Sequence, residues 1–394
     1  MEPFILFGII LALALNFVNG LNDASHSIAT VVATKALSPM KAILLSAVCN
    51  MFGPFVFTTA VAVTIGTGII QPGALTPLSI VVAMGSAILL VAVATRSGIP
   101  ISSSHAMVGG LLGAGIGVAG FSAVLLPGGE VFMEIAISGI LGAGAGAILL
   151  GAIAASLGGD VKQAFLLGAI FGAAIIIPCL MIAGVLKLAG LVAIVLFIFI
   201  SPILGMVAAF LFDVLISHLF RHSRQNRMRR IFQPLHAFAS LFQATGHGAN
   251  DGQHAVGLIT ALLVSAGILS SFIVPTWVIL ASAITIGFGT CFGGWQVVDR
   301  MAKKITKIRP YQGFCAATIA SSILAGVTEY GVPVSSTHVI SGAIVGVGAT
   351  RGKNAVQWDV VREMMTAWVI TIPVALVIAC GGYYLIAALL PSFA

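Results

Sequence analysis

Two acidic residues stand deep inside apolar stretches, each in the same short frame: Asn22-Asp23-Ala24-Ser25-His26 and, in the second half of the chain, Asn250-Asp251-Gly252-Gln253-His254. An uncompensated carboxylate at that depth in a membrane is costly, so such an acid marks a functional site by default. Glycines flank both frames, Gly20 in the first copy and Gly246 and Gly248 in the second. They would let a helix unwind and turn its carbonyls toward a cation. Asn22, Asp23 and Ser25 would supply further hard oxygen ligands in copy one, and Asn250, Asp251 and Gln253 in copy two. Dehydrated Na+ needs such a set, whereas a proton needs only a titratable group.

A second element is duplicated in the same order and at nearly the same interval. Gly98-Ile99-Pro100-Ile101-Ser102-Ser103-Ser104-His105 returns as Gly331-Val332-Pro333-Val334-Ser335-Ser336-Thr337-His338. The hydroxyls follow a proline and precede helical patterning, which is where helix N-caps belong. Capping alone would explain them. Two such N-termini facing each other at mid-membrane would instead aim backbone N–H groups, hydroxyls and dipole ends at one point, which makes an anion site. Its ligands would be Ser102, Ser103 and Ser104 with Ser335, Ser336 and Thr337. His26, His105, His254 and His338 are expected to orient the broken helices by hydrogen bonding, or to relay protons if the coupling ion is H+. Arg96 and Glu329 occupy equivalent positions just before the two elements and are expected to form a structural ion pair between the copies. Direct anion binding by Arg96 is the alternative.

The elements that must position these groups follow from composition. Of 394 residues, 59% are hydrophobic and only 7% charged, and the mean hydropathy is +1.14. Soluble domains carry about a quarter charged residues. Disorder, a collagen-like fibre and a disulfide framework are excluded. Five scattered cysteines in apolar segments read as structural fillers. The amino-terminal run lacks the basic start and cleavage site of a signal peptide and reads as the first span. The chain is expected to be an all-α polytopic membrane protein of about twelve transmembrane segments. Two apolar stretches, 76–120 and 311–350, exceed one crossing, and each is interrupted by a Gly-x-Pro-x-Ser-Ser element. Each is therefore two crossings or a helical hairpin.

Loop charge sets the orientation of the copies. Lys35 and Lys41 follow the first span, while the matching stretch near 264–272 has no charge; the next loop, 71–77, has none, while its counterpart carries Arg300, Lys303, Lys304, Lys307 and Arg309. The alternation predicts two inverted-topology repeats with both termini outside, which places 16 of the 18 Lys and Arg in cytoplasmic loops. The expected organisation is a first repeat at 1–157, two connecting spans and a basic loop at 158–231, and a second repeat at 232–394. The cluster Arg221, Arg224, Arg227, Arg229 and Arg230 reads as a topology signal and lipid-headgroup contact, not as a nucleic-acid site. Inverted repeats with broken helices point to a secondary transporter.

The duplicated Gly-x-Asn-Asp-x-x-His and Pro-x-Ser-Ser-(Ser/Thr)-His segments resemble the signatures of the inorganic phosphate transporter (PiT) family, which are symporters of phosphate with sodium or protons. The resemblance spans about residues 16 to 350. It implies an inverted-repeat fold, a homodimer, and phosphate held by the Ser/Thr hairpins and the Asn-Asp segments. It places the chain, as a multi-pass protein, in the plasma or inner membrane of a prokaryote. No enzyme activity and no cofactor are expected, and Na+ is the expected coupling ion with H+ as the alternative.

Chemistry favours phosphate over sulfate, since phosphate keeps an O–H at neutral pH to donate to a carboxylate and sulfate has none. Two aspartates with a phosphate gather about three to four negative charges, so cations must accompany the anion. Proton-coupled or metal-phosphate symport and a sulfate permease of the same fold stay open. A divalent-metal transporter using His247, Asp251 and His254, and an intramembrane aspartyl protease, are remote.

Overall fold

The computed structural model describes residues 2–99, 101–156, 158, 160–186, 188, 190–293 and 305–390. Side chains of 24–26 and 353 are outside that description, so Ser25 and His26 lie beyond it as site residues, as do Arg300, Lys303 and Lys304 of the basic loop. Thirteen α-helices are present among the described residues. In chain order they are α1 (Pro3–Ala33), α2 (Pro39–Phe52), α3 (Ala60–Thr67), α4 (Pro77–Arg96), α5 (Ser103–Ala119), α6 (Gly129–Ser156) and α7 (Val161–Ile182). There follow α8 (Gly190–Leu219), α9 (Gln225–Ser265), α10 (Thr276–Phe292), α11 (Pro310–Glu329), α12 (Ser336–Ala349) and α13 (Trp358–Leu389). Proline opens α1, α2, α4 and α11, where its missing N–H costs nothing.

Among the described residues, seven helices are long and apolar enough to cross a membrane, or eight if the pair α2 and α3, bent by 74°, is one span. The protein is a multi-pass membrane protein. The expected dozen includes elements that fail this test for physical reasons. α10 and α12 have 17 and 14 residues, and α9 buries a polar face that runs from His236 through Gln243 and His247 to Asp251.

Two hairpins follow one pattern. α4 and α11 both end in a glycine with positive φ, Gly98 at 67° and Gly331 at 66°. In each case the next residue closes back on the helix, Ile99 N to Ala94 O at 2.9 Å and Val332 N to Val327 O at 3.0 Å. Only glycine enters that left-handed turn without strain, so the same C-cap reverses both chains toward α5 and α12. α5 then packs on α4 and α13, and α12 on α11 and α8.

Breaks fall elsewhere than expected. α1 and α9 run unbroken through their Asn-Asp frames. The glycines serve close packing instead: a Cβ on Gly20 would overlap the Ile286 carbonyl of α10, and one on Gly248 the Asn50 carbonyl of α2. Between α2 and α3 the chain does break, and Gln253 of α9 satisfies the freed backbone there. Its amide NH2 donates to Thr58 O at 2.8 Å and its Oε1 accepts from Ala62 N at 3.0 Å.

Contacts sort the connections into two ends. At one end Gln233 near the start of α9 donates to Lys35 O at 3.2 Å, just after α1, and Arg351 after α12 donates to Lys307 O ahead of α11. At the other end Gln71 N donates to Ala123 O at 2.8 Å. There Gly68 meets Gly190, and Phe272 packs on Gly66. α1 therefore ends where α9 begins, and α9 ends beside the connection that follows α3.

Candidate transport site

The two Asn-Asp frames and the two hairpin tips converge. Ser103 at the start of α5 donates its hydroxyl to Asp23 Oδ2 at 3.0 Å and to Asn19 Oδ1 at 2.5 Å. Ser336 at the start of α12 donates to Asp251 Oδ2 at 3.3 Å. The asparagines are held alike. Thr95 near the end of α4 donates to Asn22 Oδ1 at 2.7 Å, and Asn250 Nδ2 donates to Thr328 Oγ1 at 2.9 Å near the end of α11. Asn22 Nδ2 also donates to Asp23 Oδ1 at 2.6 Å. The tips touch through His105 and His338, whose ring centroids are 4.7 Å apart.

His247 lies between the acids, its Nε2 3.2 Å from Asp251 Oδ2 and 3.4 Å from Asp23 Oδ2. Its other nitrogen is fixed by a chain of bonds. Thr290 donates its hydroxyl to Ile286 O at 2.9 Å and so receives the Asn50 NH2 at 2.7 Å, which leaves Asn50 Oδ1 to accept from His247 Nδ1 at 3.0 Å. Nε2 thus faces two carboxylates, and one ligand atom from each of the three residues lies within 4.8 Å of the others. What such a triad holds is positive charge, as a proton on Nε2 or as a bound cation.

Around this centre, buried polar atoms stand without a hydrogen-bond partner among the described residues. They include Ser104 Oγ, Thr337 Oγ1, Ser335 Oγ, Asn250 Oδ1, Asp251 Oδ1, His105 Nδ1 and His254 Nε2. Native interiors leave few such atoms, and a cluster of them marks a ligand site. Ser104 and Thr337 are equivalent positions, so two orphan hydroxyls stand one on each hairpin. Ser102 and Ser335 are equivalent too and differ: Ser102 Oγ caps α5 by accepting from His105 N at 3.2 Å, whereas Ser335 Oγ does not cap α12. A cavity of about 10 Å³ beside Asn19, Ser103 and His254 has room for about one water.

The profile of the phosphate transporter family matches residues 19–165 and 162–379, which together take in every group just described. The chain belongs to the phosphate transporter family.

Two relatives match over nearly their whole length. A protein of Rhizobium meliloti (strain 1021) described as "Probable low-affinity inorganic phosphate transporter" is 37% identical over 97% of this chain and 96% of its own. One of Bacillus subtilis (strain 168) with the same description is 32% identical over 96% of each chain. Among solved structures, one described as "The sodium-dependent phosphate transporter" superposes with a TM-score of 0.69 over 98% of this chain and all of its own, at 22% identity, and so shares the fold. The protein is a transporter, not an enzyme.

Some sequence expectations meet a different arrangement in this transporter. Gln253 is engaged at the α2–α3 break and by Ala249 O at 2.7 Å, and the structure does not bring it to the carboxylates. Arg96 and Glu329 are both exposed and form no ion pair with each other among the described residues. Equivalence under a duplication places residues in matching surroundings, not in contact. His338 donates Nδ1–H to Ile198 O at 3.3 Å and stacks on Trp368 with centroids 4.0 Å apart. Thr95, Thr328, Asn19 and Asn50 did not stand out in the sequence. Thr95 and Thr328 are related by the same interval as the hairpin motifs and could have been found by it.

Proposed function

We propose that the protein imports inorganic phosphate by symport with cations, with Na+ as the coupling ion, through alternating access of two inverted copies around one mid-membrane site. The observation that carries this reading is the pair Ser104 and Thr337: equivalent hydroxyls, buried, unpartnered among the described residues, and next in sequence to Ser103 and Ser336, which bond Asp23 and Asp251. Hydroxyls donate to phosphate oxygens, and an adjoining carboxylate accepts the proton that phosphate retains and sulfate lacks. The unpartnered Asn250 Oδ1 and Asp251 Oδ1, with Asn22 and Asp23 of copy one, give hard oxygens for Na+. The name of the structural neighbour, a sodium-dependent phosphate transporter, supports the same ion.

The inverted arrangement is supported by the sorting of connections, since α1 and α9 run in opposite senses and the basic loops gather at the end holding Lys35, Arg229 and Arg309. On that reading the repeats are 1–157 and 232–394 about a 158–231 connection, both termini are outside, and the twelve segments are eight crossings and four hairpin arms. The transporter works as a homodimer in a prokaryotic plasma or inner membrane. The test is uptake of labelled phosphate into proteoliposomes with sodium and proton gradients imposed separately. Accumulation should follow the sodium gradient; accumulation that follows only the proton gradient would move the coupling role to H+, and none under either would overturn symport.

A further inference from the structure

A buried polar seam leads from the central acids toward the basic end. On α1 and its C-cap it comprises Asp23, Ser27, Thr30 and Thr34, and on α9 His247, Gln243, Ser240 and His236, all of them buried. The spacing of four, three and four keeps each set on one helical face, and α1 and α9 pack together. The seam is one-sided. The equivalents of Ser27, Thr30 and Thr34 in copy two are Ala255, Leu258 and Leu262, and those of Gln243, Ser240 and His236 in copy one are Leu15, Ala12 and Gly8. Hydroxyls and an imidazole are buried here where apolar residues serve on the other side, and buried polar groups need hydrogen-bond partners that apolar residues do not.

His236 closes the seam at its outer limit. Thr34 Oγ1 donates to Thr30 O at 3.0 Å, so it accepts from His236 Nδ1 at 3.0 Å, and Thr30 Oγ1 meets His236 Nε2 at 3.1 Å. Gly313 of α11 lies against the imidazole, where a Cβ would overlap the ring. Immediately beyond Thr34 a cavity of about 570 Å³ opens between the end of α1, the α8–α9 connection and the start of α11. Lys35, Arg229 and Arg309 line it with Ser217, Ser223 and Tyr311, and no carboxylate lines it among the described residues. Cations and hydroxyls without an acid are the donor set for a phosphate group.

We propose that this cavity is a second phosphate-group site at the basic end of the transporter, joined to the central site by the α1–α9 seam and separated from it by the His236 latch. Its role as a release station for transported phosphate rests on the transport reading, but binding there does not. A free phosphate and the headgroup of an anionic phospholipid offer the same chemistry to it.

Labelled inorganic phosphate is titrated into the Asp23→Asn/Asp251→Asn protein carrying Ser104→Ala and Thr337→Val as well, which removes the central donors to the anion along with the acids, in phosphatidylcholine nanodiscs. Binding should persist, ignore sodium, weaken with ionic strength, and fall at least about tenfold on adding Arg229→Gln and Arg309→Gln. If free phosphate does not bind but native mass spectrometry from phosphatidylglycerol bilayers shows a retained lipid that the arginine variants lose, the site stands with the headgroup as its ligand. A folded arginine variant that alters neither phosphate nor lipid binding overturns the proposal. Lys35→Gln, at the exposed rim, repeats the test if the double arginine variant fails to fold. Failure of the transport reading would show separately, as absent sodium-driven uptake by the unaltered protein.

Discussion

His105 and His338, which end the two copies of the hairpin motif, meet edge to face with ring centroids 4.7 Å apart. Each immediately follows the hydroxyl run of its hairpin, so the contact fixes the distance between the two helix N-termini that are to share one anion. On the proposed alternating access this contact changes during the cycle. Cysteines replacing His105 and His338, in a background without the five native cysteines, should be bridged by a short bifunctional thiol reagent with arrest of uptake, and cleavage of the bridge should restore it. Full uptake by bridged protein would show that the tips move as one body.

Asp23→Asn and Asp251→Asn should each abolish cation-driven accumulation while leaving expression and thermal stability nearly unchanged. The amide keeps the volume of the carboxyl and removes the charge that a cation neutralises, and His247 loses one of its two anionic neighbours. Uptake at the unaltered rate in either variant would make these acids structural.

The hydroxyls separate into two kinds. Ser104 and Thr337 have no partner to lose among the described residues, so Ser104→Ala and Thr337→Val should leave the melting temperature unchanged or raised and weaken phosphate binding by about 1.5–3 kcal/mol each. Ser103→Ala removes the donor shared by Asp23 and Asn19 and should lower stability as well as affinity. Calorimetric titration with phosphate, beside a thermal melt, distinguishes the two outcomes; equal affinity in all three variants would reduce these residues to helix caps.

Gly248→Ala should destabilise the fold by about 1–3 kcal/mol without touching ligand, because the added methyl meets the Asn50 carbonyl. A melting temperature equal to that of the unaltered protein would show that α2 and α9 can separate there freely.

Much of this site was legible because it is written twice. The recurrence of Asn-Asp and of Ser-Ser-(Ser/Thr)-His at nearly one offset named the residues that meet, and alternating loop charge indicated that α1 and α9 oppose each other. What the sequence concealed were roles set by neighbours rather than by type. Gly20 and Gly248 looked like helix breaks because glycine serves both unwinding and close approach, and only the carbonyls of Ile286 and Asn50 beside them decide between the two. Gln253 looked like a cation ligand because its oxygen lies near Asp251 in sequence, but two residues along a helix turn it about 200° away, toward the α2–α3 break. His247 has Asn19 as its counterpart, so a search for symmetry passed over the residue that bridges both acids.

Coupling of sodium to phosphate is the centre of the account, and linkage gives it a direct test. Each bound cation relieves the repulsion between Asp23, Asp251 and the anion, so sodium must raise phosphate affinity, and phosphate must raise sodium affinity by the same factor. The measurement is phosphate binding at fixed pH as NaCl replaces choline chloride at constant ionic strength. The account predicts a rise of at least about tenfold, the usual size of such couplings, lost in Asp251→Asn. A phosphate affinity that stays flat as sodium rises would contradict it.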